Sequence, residues 1–353
     1  MDWALRRTAG WRAHLGPHQR RNYLQPMQGR TAHFQQMARG PVMACAQLVD
    51  GPRPSLTVIV AAFNAEGTIR YALDSVRAQA YDNWLVVVVD DGSTDATGAI
   101  AQSYVDADSR FSLIRQENAG AGAARNRAIA SASSDFVLYL DADDLLAVEH
   151  MREMVRLVAD YPGYDIYSSD GLFAYADGST APVFGYDGIV SLTVEDMLPS
   201  CMILGGGALV RTRVIRDLGG FREHMYGEDY DLWLRALARG YKHIATPQPL
   251  YIYHQFLDGQ KSEDSSAGYN SAVVALTDLI DSGLLNQEQV ELAHDAIANY
   301  TLAPRMEAQK QALARLLRRV VGPRLEGPIM RAIRRFSWVV RPLRKRIARI
   351  RVR

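Results

Sequence analysis

The chain contains little cysteine and no long apolar run. Cys45 and Cys201 are the only cysteines among 353 residues, so a framework of paired disulfides is excluded. No segment approaches the roughly 18 consecutive apolar residues of a membrane-spanning helix. The arginine-rich N-terminal stretch also lacks the apolar block of a secretory signal. We therefore expect a cytoplasmic protein, with peripheral contact to the inner face of the cell membrane as an option.

Net charge is also nearly absent, but the small total hides an uneven distribution. The formal charge is +1. Residues 1–54 hold eight basic and two acidic side chains, and residues 305–353 hold sixteen and two. The central segment 55–304 is acidic, with sixteen basic and thirty-five acidic side chains. Two basic ends on an acidic body favour an anionic partner such as a membrane surface.

The apolar pattern predicts an α/β fold with a doubly wound, mostly parallel sheet, because short apolar runs alternate with helical stretches. The predicted strands are Leu56–Ala62, Leu85–Val89, Phe111–Ile114 and Phe136–Leu140. The predicted helices between them are Thr68–Gln79, Thr94–Tyr104 and Ala121–Ser131. We expect three regions: a basic, poorly ordered extension over 1–54, a catalytic domain over 55–265 and a helical C-terminal region over 266–353.

The fourth predicted strand ends in Asp141-Ala142-Asp143-Asp144. Ligands bind outside the carboxyl ends of strands in open parallel sheets. Crowded carboxylates repel one another, and a hard divalent cation relieves that repulsion. We therefore predict a metal site that anchors a phosphate. The identically spelled Asp106-Ala107-Asp108 follows a helix instead, and we interpret it as a solvated turn.

Two earlier strand ends also carry polar or aromatic side chains. Phe63 follows the first strand and offers a face for stacking, while Asp91 follows the second and can accept hydrogen bonds from a base or ribose. The alternative for the segment 90–95 is a turn that caps the next helix. Both interpretations are compatible with each other.

A glycine-rich loop over 120–125 approximates the dinucleotide-binding fingerprint but ends in Arg125. It also follows the third strand instead of the first. We expect Arg125 to direct its guanidinium toward the carboxylates at 141–143, or toward a phosphate that they hold. Farther on, acidic residues open a helix from about Glu228 to Arg239, whose buried stripe we expect to be Leu232, Trp233, Ala236 and Leu237. A carboxylate there suits a general base, although simple complementation of the helix dipole explains Glu228 or Asp231 equally well.

Taken in this order, the segments resemble the family-2 glycosyltransferases, which are inverting enzymes of the GT-A fold. The resemblance covers about residues 56–262 and rests on V-I-V-A-A-F-N-A-E, V-V-D-D-G-S-T-D, N-A-G-A-G-A-A-R-N, L-Y-L-D-A-D-D, G-G-F-R-E and G-E-D-Y-D-L-W-L-R. Six motifs in the family's order are far more specific than any one of them. The resemblance implies a nucleotide-sugar donor, most simply a UDP-sugar, and a glycan or lipid-linked acceptor.

The resemblance also implies a role for individual residues. Asp229 would be the catalytic base, and Asp141 and Asp143 would hold Mg²⁺ or Mn²⁺. The donor-binding residues would be Phe63, Glu66, Asp91, Arg125 and Asp141. Two departures from the family pattern are Ala61, where most members have proline, and the segment Tyr253-His254-Gln255-Phe256, in place of Tyr-Arg-x-His.

The C-terminal tail repeats apolar residues at spacings of three and four, with arginines between them. Such a basic amphipathic segment favours an anionic membrane through 325–353, although Pro342 should kink it. The stripe alternatively packs on the acidic body or pairs with a second copy. No nucleic-acid-binding module is recognisable. The apolar stripe consists of Ile329, Ile333, Phe336, Val340, Leu343, Ile347 and Ile350.

The expected activity is transfer of a sugar from a nucleotide donor to an acceptor hydroxyl in cell-surface polysaccharide or glycolipid synthesis. Two alternatives are a nucleotidyltransferase and a non-catalytic protein. A nucleotidyltransferase would need a basic, glycine-rich loop after the first strand, and residues 63–66 provide neither feature. A non-catalytic nucleotide-sugar-binding or scaffolding protein would not need the carboxylates at 141, 143 and 229.

Overall fold

The computed structural model describes residues 53–175, 179–254 and 265–321, with side chains omitted for 265–266 and 305–321. The basic extension up to residue 52, Phe256 and the amphipathic tail over 325–353 lie outside the described residues. Cys45 does too, whereas Cys201 is partly buried and donates its thiol to the carbonyl of Ile203. No described helix is both long and apolar enough to cross a membrane.

The described residues form one nine-stranded sheet in the order β3-β2-β1-β4-β8-β6-β9-β5, with β7 paired to β6. The strands are β1 Leu56–Ala62, β2 Trp84–Asp91, β3 Phe111–Gln116, β4 Phe136–Asp141, β5 Leu145–Leu146, β6 Ile166–Ala174, β7 Thr180–Pro182, β8 Leu209–Arg211 and β9 His243–His254. The described helices are α1 Ile69–Arg77, α2 Thr97–Ala107, α3 Ala121–Ser131, α4 His150–Asp160, α5 Val194–Met197, α6 Thr212–Asp217, α7 Glu228–Ala238, α8 Ser265–Asp281 and α9 Gln287–Val321.

The first half of the sheet is parallel, as predicted. β1 pairs in parallel with β2 on one side and with β4 on the other, and β2 pairs in parallel with β3. The second half is mixed, because β8 runs antiparallel to both β4 and β6, while β6 and β9 are parallel. β8 has only three residues, too few for an apolar period to reveal a strand in the sequence.

Both faces of β1, β2 and β4 are largely buried, which explains their continuous apolar runs. Alternate residues of one strand enter opposite cores, since side chains alternate across a sheet. In β4, Val137 and Tyr139 pack on one side with α3, α7 and α8, while Leu138 and Leu140 pack on the other with α1, α2 and α4. Burying a side chain of this size contributes about 1.5–3 kcal/mol.

Helix α7 presents the apolar stripe that its sequence predicts. Leu232, Trp233 and Ala236 are fully buried, and Leu237 is nearly so. The Trp233 ring stacks on the ring of Tyr139, with centroids 5.9 Å apart. This contact fixes the helix that carries the acidic residues against strand β4, which carries Asp141.

The C-terminal helices pack directly on the sheet-bearing part of the chain. The Tyr300 hydroxyl of α9 donates to the carbonyl of Pro199 at 3.0 Å. Asp278 of α8 forms an ion pair with Arg222, which also binds Asp231 of α7 at 3.1 Å. Helices α8 and α9 therefore support the loop before α7 and the segment that follows α5.

Candidate active site

The topology places the candidate site where the strand order reverses. The chain passes from β1 outward to β2 and β3, then returns to β4 on the other side of β1. Connections that leave a sheet in opposite directions open a crevice at the carboxyl ends of the strands. Ala61 and Asp141 are register partners at this edge. The loop that carries Phe63 and the turn that carries Asp143 therefore begin side by side.

Reciprocal hydrogen bonds join the loops that follow β1 and β2. The main-chain NH of Glu66 donates to Asp95 at 3.1 Å, and Glu66 in turn accepts from the NH of Ala96 at 3.0 Å. The NH of Thr94 donates to the Asn64 side chain at 2.9 Å. Glu66, expected to bind the donor, thus also fastens the two loops together. The expected cap by Ser93 or Thr94 is wrong, because α2 begins at Thr97 and Ala96, at its N-cap position, offers no side-chain cap.

Phe63 lies at the exposed rim of these joined loops. Its side chain is half exposed. The next residue, Asn64, adopts a left-handed conformation with φ 48°, which asparagine tolerates better than most residues. The clamped loop thereby holds the aromatic ring where a planar ligand can stack on it.

Asp91 lies at the end of β2 and is buried. One carboxylate oxygen accepts from the Gln116 amide at 2.8 Å and from the NH of Ala119 at 2.9 Å. The other oxygen accepts from the NH of Gly120 at 2.8 Å. Since an ionised carboxylate accepts at about four positions, room remains for one further donor. Asp91 therefore anchors the β3–α3 loop beside the crevice.

Two glycines of this loop are required by the local backbone and packing, and not by a bound dinucleotide. Gly120 has φ +90°, a conformation that side chains rarely adopt. A Cβ atom on Gly122 would lie 2.6 Å from the carbonyl oxygen of Arg222. The second glycine thus allows α3 to approach the segment before α7, and the near-match to the fingerprint is explained by packing.

Arg125 is the buried centre of the site. Its guanidinium binds Asp141 at 2.7 Å and forms a second ion pair with Glu228. The guanidinium carbon also lies 5.6 Å from the Tyr139 ring centroid and 5.3 Å from that of Phe221. The guanidinium thus points toward the carboxylate of Asp141, which is one of the two orientations that we expect from the sequence. Arg125 therefore joins β4 to the first turn of α7.

The three carboxylates that follow β4 separate into two kinds. Asp141 and Asp143 are partly exposed. Asp144 is buried, and its carboxylate accepts from the Tyr251 hydroxyl at 2.6 Å and the NH of His254 at 2.9 Å. Burial, together with the charges of Asp143 and Asp141, raises the pKa of Asp144 well above its usual range. The expected cluster of three thus presents two carboxylates at the crevice.

Asp141 and Asp143 suit a hard divalent cation. One oxygen of Asp141 is bound by Arg125, and the other is not needed for that pair. Among the described residues, no group of three His, Cys, Asp or Glu side chains is placed to hold a metal ion. Mg²⁺ commonly takes only one or two protein carboxylates and completes its shell with substrate phosphates and water. Two carboxylates at the crevice fit that pattern.

Asp229 lies in the first turn of α7, after Gly227 with φ 71°. One carboxylate oxygen accepts from the NH of Tyr230 at 2.8 Å. Burial, and then the charge of Glu228, raise the pKa of Asp229 to about 6, against the opposing effect of Arg125. A carboxylate with this pKa is ionised near neutral pH yet accepts a proton more readily than an exposed one.

The other acidic residues of α7 have structural partners. Asp231 is buried and binds both Arg222 at 3.1 Å and Arg235 at 2.7 Å. Glu228 pairs with Arg125. For these two residues, ion pairs with arginines account for the acidic side chain. Asp229 is thus distinguished from both of its acidic neighbours.

The second Asp-Ala-Asp motif, residues 106–108, lies at the end of α2. Asp108 binds the guanidinium of Arg110 at 2.7 Å and accepts from its NH at 3.0 Å. Asp106 is exposed and accepts from Gln102 at 3.0 Å. Asp106 and Ala107 are the last residues of α2 and Asp108 is its C-cap, so the motif ends a helix and is not the expected solvated turn. It lies away from the carboxyl ends of the strands.

Sequence reasoning missed the contacts of β9 and of a triple-glycine loop, Gly205–Gly207. In the sequence, His254 stands out only as a departure from the family pattern, but its Nδ1 lies 2.6 Å from the carbonyl oxygen of Asp143. No sequence pattern points to Tyr251, although its hydroxyl binds Asp144. The three consecutive glycines were the one signal in the sequence, since close packing often requires them.

Comparison with known proteins defines the class. Residues 57–181 match the family described as Glycosyl transferase family 2, and residues 136–262 match Glycosyl transferase family group 2. These ranges together cover the strands, the carboxylate turn and α7. The chain belongs to the family-2 glycosyltransferases, as the motifs predict.

Two curated relatives illustrate the range of similarity. Glycosyltransferase GlyA of Streptococcus pneumoniae is 31% identical over 210 residues, 56% of this chain, and the chain spans only 30% of GlyA. The amylovoran biosynthesis glycosyltransferase AmsB of Erwinia amylovora is 29% identical over 212 residues, which cover 57% of this chain and 69% of AmsB.

Solved structures confirm the GT-A fold. Residues 1–349 of S. aureus TarS, in complex with UDP-GlcNAc, superpose with a TM-score of 0.60 at 20% identity, covering 70% of this chain and 73% of TarS. The mannosyltransferase PcManGT from Pyrobaculum calidifontis, in complex with GDP-Man and Mn²⁺, superposes with a TM-score of 0.59 at 21% identity, covering 90% and 92%. At these identities the comparison concerns the fold alone.

We predict that Arg125→Lys lowers stability. A lysine ammonium is a single point of charge and cannot reproduce the planar fork that binds Asp141 and Glu228 together. Loss of one hydrogen bond between charged groups should lower the free energy of unfolding by about 1.5–3 kcal/mol in urea titrations. Arg127→Lys, at an exposed position of the same helix, is the matched control. Equal stabilities of the two variants would refute the role given to Arg125.

We predict that Asp229→Asn stabilises the protein in a pH-dependent way. Folding raises the pKa of Asp229 from 3.8 to about 6. The contribution of Asp229 to the free energy of unfolding is therefore fully present below pH 4 and is lost as pH rises through 6. Removing the charge should therefore raise the Tm at pH 8 but not at pH 4. Asp106→Asn, at an exposed site, is the control, and a lower Tm for Asp229→Asn at pH 8 would contradict the prediction.

Proposed function

We propose that this protein is an inverting glycosyltransferase that moves a hexose-like sugar from a nucleotide-sugar donor to an acceptor hydroxyl. The observation that carries the proposal is that Arg125 joins Asp141, at the end of β4, to Glu228, the neighbour of Asp229 in the first turn of α7. The span 55–265 is the catalytic domain in this proposal, with a helical region over 266–353.

The donor nucleotide occupies the crevice between β1 and β4 in this proposal. Phe63 stacks on the base, and the remaining acceptor position of Asp91 receives a hydrogen bond from it. Asp141 and Asp143 hold Mg²⁺ or Mn²⁺ beside the diphosphate. When bound, such an ion offsets the negative charge that grows on the leaving group. The Mn²⁺ complex of PcManGT supports this assignment.

Asp229 acts as the base. It takes the proton of the acceptor hydroxyl, whose oxygen attacks the anomeric carbon from the face opposite the nucleoside diphosphate. The bond between that carbon and the diphosphate oxygen breaks, and the configuration inverts. Arg125 keeps Asp229 ionised near neutral pH, since its charge opposes the effects of burial and Glu228. A UDP-sugar is the proposed donor, in line with the UDP-GlcNAc complex of TarS.

The proposed acceptor is a growing cell-surface polysaccharide or a lipid-linked precursor. The naming of AmsB for amylovoran biosynthesis supports this class of product. A cytoplasmic location, peripheral to the membrane, would give access to both the donor and such an acceptor. The alternative, a non-catalytic nucleotide-sugar-binding or scaffolding protein, would bind the donor equally well but would not depend on Asp229.

The proposal is tested with a panel of nucleotide sugars in Mn²⁺ and Mg²⁺, scored for binding and turnover. Asp143→Ala should abolish metal-dependent donor binding, since it removes one of two carboxylates.

Asp229→Asn should bind donor as the wild type does but lower kcat by about 10²–10⁴-fold, the usual contribution of a general base. Asp106→Asn is the control. Undiminished turnover by Asp229→Asn would exclude it as the base, and donor binding without turnover in the wild type would favour the scaffolding alternative.

We further propose that the basic tail over 325–353 binds an anionic membrane surface. Each arginine near such a surface adds about 1 kcal/mol, and the apolar stripe can enter the headgroup region. Deleting 325–353 should abolish co-flotation with vesicles containing anionic lipid, and neutral vesicles serve as the control. Unchanged flotation of the truncated chain would refute this role for the tail.

A further inference from the structure

The third carboxylate of the D-A-D-D turn connects two parts of the site. Both oxygens of Asp144 are bound by β9, one by the Tyr251 hydroxyl at 2.6 Å and the other by the NH of His254 at 2.9 Å. The NH of Asp144 also donates to the carbonyl of Asp141 at 3.1 Å, which closes the turn. Asp144 therefore fastens the carboxylate turn to the end of β9.

A second contact reinforces this junction on the metal-binding side. The Nδ1 of His254 lies 2.6 Å from the carbonyl oxygen of Asp143. A carbonyl can only accept, so Nδ1 carries the hydrogen of this bond. The backbone of Asp143 is thus held by β9 on one side while its carboxylate is partly exposed at the crevice. Movement at Asp144 would shift the residue that we propose as a metal ligand.

The ring of Tyr251 packs against a loop that also contacts Asp229, the proposed base. A Cβ atom on Gly206 would lie 2.0 Å from the Tyr251 hydroxyl oxygen, and one on Gly207 would lie 2.7 Å from the ring. The ring therefore rests directly against the backbone of the triple-glycine loop. A Cβ atom on the first glycine of that loop, Gly205, would lie 2.4 Å from a carboxylate oxygen of Asp229. The triple-glycine loop thus contacts Tyr251 through Gly206 and Gly207, and it contacts Asp229 through Gly205.

We propose that Asp144 is a positioning residue: through Tyr251 and the triple-glycine loop it sets Asp229, and through His254 it sets Asp143. The inference rests on the proposed sugar transfer. It assigns the third carboxylate to alignment of the donor-binding turn with the base, and not to the metal ion. A reaction that joins a donor held on one side with a base on the other is sensitive to such alignment, and a shift of 1 Å can lower a rate about 100-fold.

The test uses the full chain and three variants. Tyr251→Phe removes the hydroxyl that binds Asp144 and keeps the ring that packs on Gly206. Asp144→Ala removes the carboxylate. Asp144→Asn keeps an oxygen for the NH of His254 and an amide NH that the Tyr251 hydroxyl can accept. For each we measure kcat and KM for the donor, Mn²⁺ affinity from the paramagnetic signal of the free ion, and Tm.

We expect Tyr251→Phe and Asp144→Ala to lower kcat by about 10- to 100-fold with Mn²⁺ affinity within about twofold of wild type. Asp144→Asn should recover most of the lost rate. Asp143→Asn is the control for a ligand, and its Mn²⁺ affinity should fall. Combining Asp144→Ala with Tyr251→Phe should cost little more than either change alone, because both break the same contact.

Three results would overturn the inference. Wild-type kcat in Tyr251→Phe would show that the contact does not position the site. A loss of Mn²⁺ affinity in Asp144→Asn equal to that in Asp143→Asn would make Asp144 a ligand. A lower Tm with unchanged kcat of the folded protein would make its role purely structural. Should the wild type transfer no sugar, the proposed function fails instead, and the two failures are thereby distinguished.

Discussion

The buried guanidinium of Arg125 is the interaction on which the rest of the site depends. It lies between Asp141 at the end of β4 and Glu228 in the first turn of α7, with the rings of Tyr139 and Phe221 beside it. A buried charge is costly unless it is paired, so the two acidic elements must approach the same cation. The sheet and the base-bearing helix are thereby held in one geometry.

Around this ion pair, the site is built from loops that are fastened to one another instead of from isolated side chains. The loops after β1 and β2 exchange hydrogen bonds through Glu66 and Asn64, and Asp91 anchors the loop after β3. The turn after β4 is held by Asp144 to β9. In the proposed reaction, such preorganisation would keep polar groups where charge develops, without reorganisation during the reaction.

Sequence alone predicted the local features well. β1 and α3 have the predicted bounds, because a run buried on both faces and a helix opened by glycine both leave clear patterns. The apolar stripe on α7 also follows from local periodicity. The short β8 did not, because three residues are too few to show an apolar period. The contact between Tyr251 and Asp144 did not either, because it joins residues 107 positions apart in the chain. The sequence of the D-A-D-D turn also could not show that Asp144 is bound by β9 whereas Asp141 and Asp143 stay partly exposed.

The central claim is that donor and base lie on opposite sides of the reacting carbon, with Asp141 and Asp143 on one side and Asp229 on the other. Proton NMR of the initial product tests this most directly, through the coupling constant of the newly linked anomeric proton. The account predicts the configuration opposite to that of the sugar in the donor. A product that retains the donor's configuration would contradict it, because a single displacement assisted by Asp229 cannot give that outcome.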